Sequence, residues 1–79
     1  MNQAVEEIEP VNYRQYGQLA HQVCGKLLPL EVLKSGAGYY IGTTEDFCPC
    51  TRESRAYFRH AAQAEEALRS GSWVQKESP

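Results

Sequence analysis

The chain has 79 residues, 42% of them hydrophobic, with one Trp and five Tyr, which makes it one domain near the size at which a hydrophobic core is only just sufficient. Ten acids and eight bases give a net charge of −2; setting aside Glu6, Glu7 and Glu9 leaves seven acids against eight bases, a balance that announces neither a DNA mimic nor a general DNA binder. No hydrophobic run approaches a membrane span, the first residues have neither the basic start nor the apolar stretch of a signal peptide, and three cysteines are an odd number for a disulfide scaffold. The thiols are therefore expected to meet a reducing cytosol.

Residues 1–11 are acidic, lack periodicity and close on Pro10, so a mobile acidic lead-in is expected. A single α+β domain is expected over 12–76, with 77–79 as a tail. Asn12 is placed as an N-cap, with Gln15 completing a capping-box pattern. Tyr13, Tyr16, Ala20, Val23, Cys24, Leu27 and Leu28 then recur at helical spacing up to Pro29. Gly17 and Gly25 weaken that helix relative to Ala, and close approach of a sheet would explain them. Leu30 to Lys34 and Tyr39 to Thr44 read as two strands of a hairpin around Ser35-Gly36-Ala37-Gly38; one bent strand with a glycine bulge is the competing reading. Glu45 to Glu53 is expected to be a loop, Ser54 to Arg59 a third strand, and His60 to Ser70 a second helix stopped by Gly71. Trp73 to Gln75 reads as a last short strand, with Trp73 as the main packing residue. The predicted architecture is an α+β fold in the order αββ(β)αβ: a small antiparallel sheet of three to four strands with two helices packed on one face.

The stretch Cys48-Pro49-Cys50-Thr51-Arg52-Glu53-Ser54 invites several chemical readings. Zinc takes about four ligands, and Cys24, Cys48, Cys50 with His60 or His21 form the available set. Cys-x-Cys is not the spacing that wraps one ion comfortably, and Cys24 lies on the apolar stripe, where a thiol is usually a small buried hydrophobe. A small zinc-binding domain therefore stands as the weaker alternative, and no cofactor is expected. A disulfide between Cys48 and Cys50 would close a very small ring around Pro49, where good geometry is hard to reach. The phosphatase pattern Cys-x5-Arg fails, because Ser54 and Ala56 stand where an arginine is needed. No Ser-His-Asp or Walker-type motif is present, so the chain reads as no enzyme. The plain reading of the stretch is a turn, with Pro49 fixing φ, a Thr51 or Ser54 hydroxyl on nearby backbone, and Arg52 paired with Glu53.

Two binding readings remain. Arg52, Arg55 and Arg59 cluster near Tyr57 and Phe58, and Tyr39 and Tyr40 are expected nearby on the sheet. Aromatics on a strand among arginines suit single-stranded nucleic acid. The same residue types dominate protein interfaces. The candidate binding residues are thus Tyr39, Tyr40, Arg52, Arg55, Tyr57 and Arg59, weighed against Tyr57 or Phe58 as core and the arginines as solvated surface.

The segments Gly38 to Thr43, Pro49 to Ser54, Tyr57-Phe58, Ala64 to Leu68 and Gly71 to Gln75 together resemble a loose group of small proteins encoded in bacteriophages, prophages and plasmids. The shared pattern is a GYYIGT-like strand, a Pro-x-Ser/Thr-Arg-Glu-Ser loop, an aromatic pair, an Ala/Glu helix and a Gly-x-Trp ending. It covers the second half of the chain and carries over no activity and no functional residue. The resemblance implies an accessory protein of a mobile element in a bacterial cytoplasm, binding a host protein such as a polymerase or a defence complex. Single-stranded nucleic acid is the alternative partner, a homodimer is admitted, and no membrane partner is expected.

Overall fold

The computed structural model describes residues 14–79. Its centre is a three-stranded antiparallel sheet in the order β1-β2-β3, formed by Glu31–Ser35, Gly38–Glu45 and Cys48–Arg52. One α-helix, α1 (Ala61–Ser70), packs against β1 and β2, and a short π-type helical turn at Ala20–Cys24 precedes the sheet. The chain is thus an α+β fold.

The first hairpin forms where expected, with Lys34 opposite Tyr39 and Ser35 opposite Gly38. Ser35 fixes its turn: the Ala37 N–H donates to Ser35 Oγ at 3.2 Å. The middle strand, β2, is buried on both faces, as a central strand should be. Ile41 and Thr43 are sealed on one face, and Tyr40 and Gly42 on the other. A Cβ on Gly42 would overlap the Thr51 carbonyl and lie 2.8 Å from the Tyr40 ring, so only glycine lets the ring lie flat over the strand. Helix α1 ends as expected at Gly71, whose φ of 75° makes a left-handed stop. Its buried face is Ala64 and Ala67, small enough for a close approach to the sheet.

Three expected elements differ. The first helix is reduced to the helical turn; Asn12, Tyr13 and the lead-in fall outside the described residues. Arg14 and Gln15 form a turn, Tyr16 bridges to Pro29, and Gly25 ends the helical turn with φ 70°. Val23, Cys24 and Leu27 are consequently exposed rather than packed as a stripe. The third strand lies earlier than expected. It is Cys48–Arg52, inside the segment expected as a loop, while Ser54 and Phe58 make only single bridges, to Gln75 and Tyr39. Pro49 is tolerated because β3 is an edge strand, and a bulge opposite Thr43 and Thr44 absorbs an extra residue. The expected last strand is limited to the Gln75 bridge, and Trp73 is half-buried.

Candidate functional site

The Thr51 to Ser54 segment is occupied in holding the fold together. Glu53 is fully buried, and its carboxylate accepts four hydrogen bonds: from the Leu19 N–H at 2.9 Å, the Ala20 N–H at 3.0 Å, the Thr51 hydroxyl at 2.7 Å and the Gln75 side-chain amide at 2.8 Å. The two backbone amides belong to the first residues of the helical turn, which have no partner within it. Glu53 therefore caps that turn from far along the chain. Gly17 is bound into the same arrangement, because a Cβ there would lie 2.5 Å from Thr43 Cγ2 and 2.6 Å from Glu53 Oε2. Ser54 is also buried; its Oγ accepts the Ile41 N–H at 3.0 Å and donates to the Ala56 carbonyl at 2.9 Å. Arg52 and Glu53 do not pair with each other. Successive strand residues point to opposite faces, and the Arg52 guanidinium lies over the Tyr57 ring, 4.5 Å from its centroid.

The six candidate binding residues are divided by the fold. Tyr40 is buried, packing edge-on against Tyr57 at 5.9 Å. Arg52, Tyr57 and Tyr40 thus form one stack. Arg55 is drawn away to an exposed ion pair with Glu77 at 3.3 Å. Tyr39, Tyr57 and Arg59 do come together, lining an open cleft of about 610 Å³ beside the β1–β2 turn, with Lys34 and His60 on its walls. Lys34 Nζ sits 5.5 Å from the centre of the Tyr39 ring. A second groove begins at Tyr57 and Arg59 and runs along α1 past Glu66.

The opposite end of β2 carries an exposed aromatic residue, Phe47, next to the charged Glu45 and Asp46. Val23, Leu27 and Phe47 are exposed, Phe47 completely so at 102% of its reference area. Lys26, beside Leu27, forms an ion pair with Glu45, the last residue of β2. Asp46 and Phe47 form a two-residue hairpin loop, both with positive φ, 53° and 67°. Such a loop favours Asn-Gly, and a phenylalanine in left-handed backbone is rare and strained. Nothing in the charge or hydropathy pattern marks Phe47, but a bulky residue in a two-residue turn between strands is a readable signal once β3 is placed.

The thiols are distributed differently from the zinc and disulfide readings. Cys24 and Cys48 are exposed and Cys50 is half-buried. Burial first, and then the Cys24 thiol, push the Cys50 pKa up, with the Thr43 hydroxyl and the Lys26 charge acting the other way. Among the described residues, no three of His, Cys, Asp or Glu are grouped to hold a metal ion. Nor is any helix among them long and apolar enough to cross a membrane. No family model, no curated protein and no solved structure matches the chain.

Proposed function

We propose that the chain is a small non-enzymatic binding protein that engages a protein partner through the exposed Phe47 at the β2–β3 turn. The observation that carries this reading is Phe47, an aromatic ring held wholly in solvent on a strained left-handed turn. A residue that adds nothing to the core and costs strain is best accounted for by what it contacts outside the chain. Large aromatics of this kind serve as interface anchors. The resemblance to phage, prophage and plasmid proteins supports the finer reading, a mobile-element accessory protein binding a host protein in the bacterial cytoplasm.

Single-stranded nucleic acid is the second reading. It is favoured by the cleft that brings Tyr39, Tyr57 and Arg59 together with Lys34 and His60, a cationic and aromatic lining suited to stacked bases and phosphates. It is weakened by Tyr40 and Arg52, which are spent on internal stacking, and by Glu66 on the adjoining groove.

One pair of variants separates the two. Phe47→Asn keeps a residue that tolerates positive φ and removes the ring, while Arg59→Ser removes a cleft charge. Bacterial proteins retained by the immobilised wild-type chain should be lost with Phe47→Asn and kept with Arg59→Ser. Short single-stranded DNA or RNA bound at low salt, and lost with Arg59→Ser alone, would replace the protein reading with the nucleic-acid one.

A further inference from the structure

We propose that the cleft beside the β1–β2 turn is a binding site for a free nucleoside monophosphate, its phosphate held by Lys34 and Arg59 and its base stacked on Tyr57. The proposal does not depend on Phe47. It takes the cleft of the nucleic-acid reading but commits it to one free nucleotide rather than a strand.

The two walls of the cleft are fixed by backbone. The Tyr39 N–H donates to the Phe58 carbonyl at 2.9 Å, and the Phe58 N–H donates to the Tyr39 carbonyl at 2.6 Å. This joins the segment from Tyr57 to His60 to the start of β2. Gly38 permits the approach: its φ is 134°, and a Cβ there would lie 2.9 Å from the Phe58 carbonyl oxygen. At the far side the His60 N–H donates to Gln63 Oε1 at 3.2 Å. The space between the walls is about 610 Å³, within the range of about 300–1,000 Å³ for small-molecule sites.

The lining sets the chemistry of the ligand. Lys34 comes from the turn wall and Arg59 from the other, both are exposed, and no Asp or Glu is among the described residues around the cleft. This is a local positive charge on a chain whose net charge is −2. It suits a phosphate monoester, which an arginine can hold with two parallel N–H donors. Lys34 stands opposite Tyr39, with its Nζ 5.5 Å from the centre of that ring, which ties the ammonium group to the cleft wall. Tyr57 provides the flat surface. Arg52 lies over its ring at 4.5 Å and Tyr40 packs against it at an interplanar angle of 78°, so the ring is held before any ligand arrives. It is nevertheless 40% exposed. A ring held in advance lowers the ordering cost of binding, and stacking on it is tolerant of base identity.

The cation set stops at one phosphate. The adjoining groove along α1 shares Tyr57 and Arg59, adds no further cation, and brings in Glu66. Arg52, Arg55 and Arg69 are engaged within the chain by Tyr57, Glu77 and Glu66. The second phosphate of a strand would therefore meet no new cation along that groove.

The test is calorimetric titration of the full chain with adenosine monophosphate, adenosine, inorganic phosphate and a short oligothymidylate strand. Adenosine monophosphate should bind more tightly than adenosine or phosphate alone. Lys34→Thr and Arg59→Ser should each weaken it about tenfold or more, the loss expected for one bond to a charged group. Their urea midpoints should stay close to wild type, because both side chains are exposed. Phe47→Asn should bind the nucleotide as the wild type does, so that failure here and failure of the Phe47 reading are told apart. No binding of the nucleotide at millimolar concentration, binding no tighter than that of inorganic phosphate, binding unaffected by both cleft substitutions, or tighter binding of the strand than of the nucleotide would each overturn the proposal.

Discussion

Two residues carry most of what sets this chain apart, and they do so in opposite ways. Glu53 is wholly internal, with every partner a donor. Replacing it with Gln presents an NH2 group where at least one N–H or O–H now points. Replacing it with Ala leaves the Leu19 and Ala20 amides buried without an acceptor. Each lost bond to a charged group is worth about 1.5–3 kcal/mol, with a further penalty for stranded donors. A domain this small has only about 3–5 kcal/mol to lose. Urea titration at neutral pH should show Glu53→Gln destabilised by about 2–3 kcal/mol and Glu53→Ala largely unfolded; wild-type midpoints for both would refute the keystone role. Phe47 is the reverse case. It has no internal partner to lose, and its left-handed backbone costs about 1–2 kcal/mol relative to a residue suited to it. The sequence reading passes over both. Glu53 beside Arg52 has the look of a surface ion pair, because the four groups that claim it lie elsewhere in the chain. Thr51 and Glu53 do share strand parity, which is the one local hint that they face the same way.

At the scale of elements, local chemistry predicts well and long-range capping does not. The β1–β2 hairpin and α1 are legible because their determinants are neighbours: Ser35 and Gly38 around one turn, and alanines at helical spacing closed by Gly71. The first helix fails as a prediction because Tyr13 to Leu28 has the right period but the wrong start. Capping at Leu19 and Ala20 by Glu53 begins the helical turn after Gly17, and Gly25 ends it. β3 is hidden by Pro49 and by the bulge, which breaks the alternation by which strands are recognised. Helix α1 also carries an ion pair between Glu66 and Arg69, with both carboxylate oxygens 2.6 Å from one guanidinium nitrogen. The Arg69 hydrogen bond, and then its charge, hold the Glu66 carboxyl below the ordinary glutamate value of 4.5. A depressed folded-state pKa adds stability that is fully present above 4.5 and disappears as the pH falls through the lower folded value. The small stability difference between wild type and Glu66→Gln should therefore be seen at pH 7, vanish on acidification below that range, and shrink in high salt. A difference that persists in acid would contradict this.

The molecule as a whole has two ends joined by β2. The cleft with Lys34, Tyr39 and Arg59 lies beside the β1–β2 turn, and the tip with Phe47 lies at the β2–β3 turn. This division was not legible in the sequence, which groups tyrosines and arginines by their proximity along the chain. Strand alternation and the Tyr57 stack bury Tyr40 and turn Arg52 inward, while Glu77 draws Arg55 aside. Only Tyr39, Tyr57 and Arg59 remain together on a surface.

The arrangement around Glu53 also bears on how the chain is made. Its carboxylate is bonded to Leu19, 34 residues upstream, and to Gln75, 22 residues downstream. Its backbone carbonyl takes the Lys76 N–H at 2.7 Å. During synthesis the helical turn and the sheet are made before Gln75 and Lys76, so Glu53 lacks these two partners until they are added. The arrangement should therefore close only once residue 76 has been added. A chain stopped after Trp73 should be cleaved rapidly by protease under conditions where the full chain resists; equal resistance would show that Gln75 and Lys76 are dispensable.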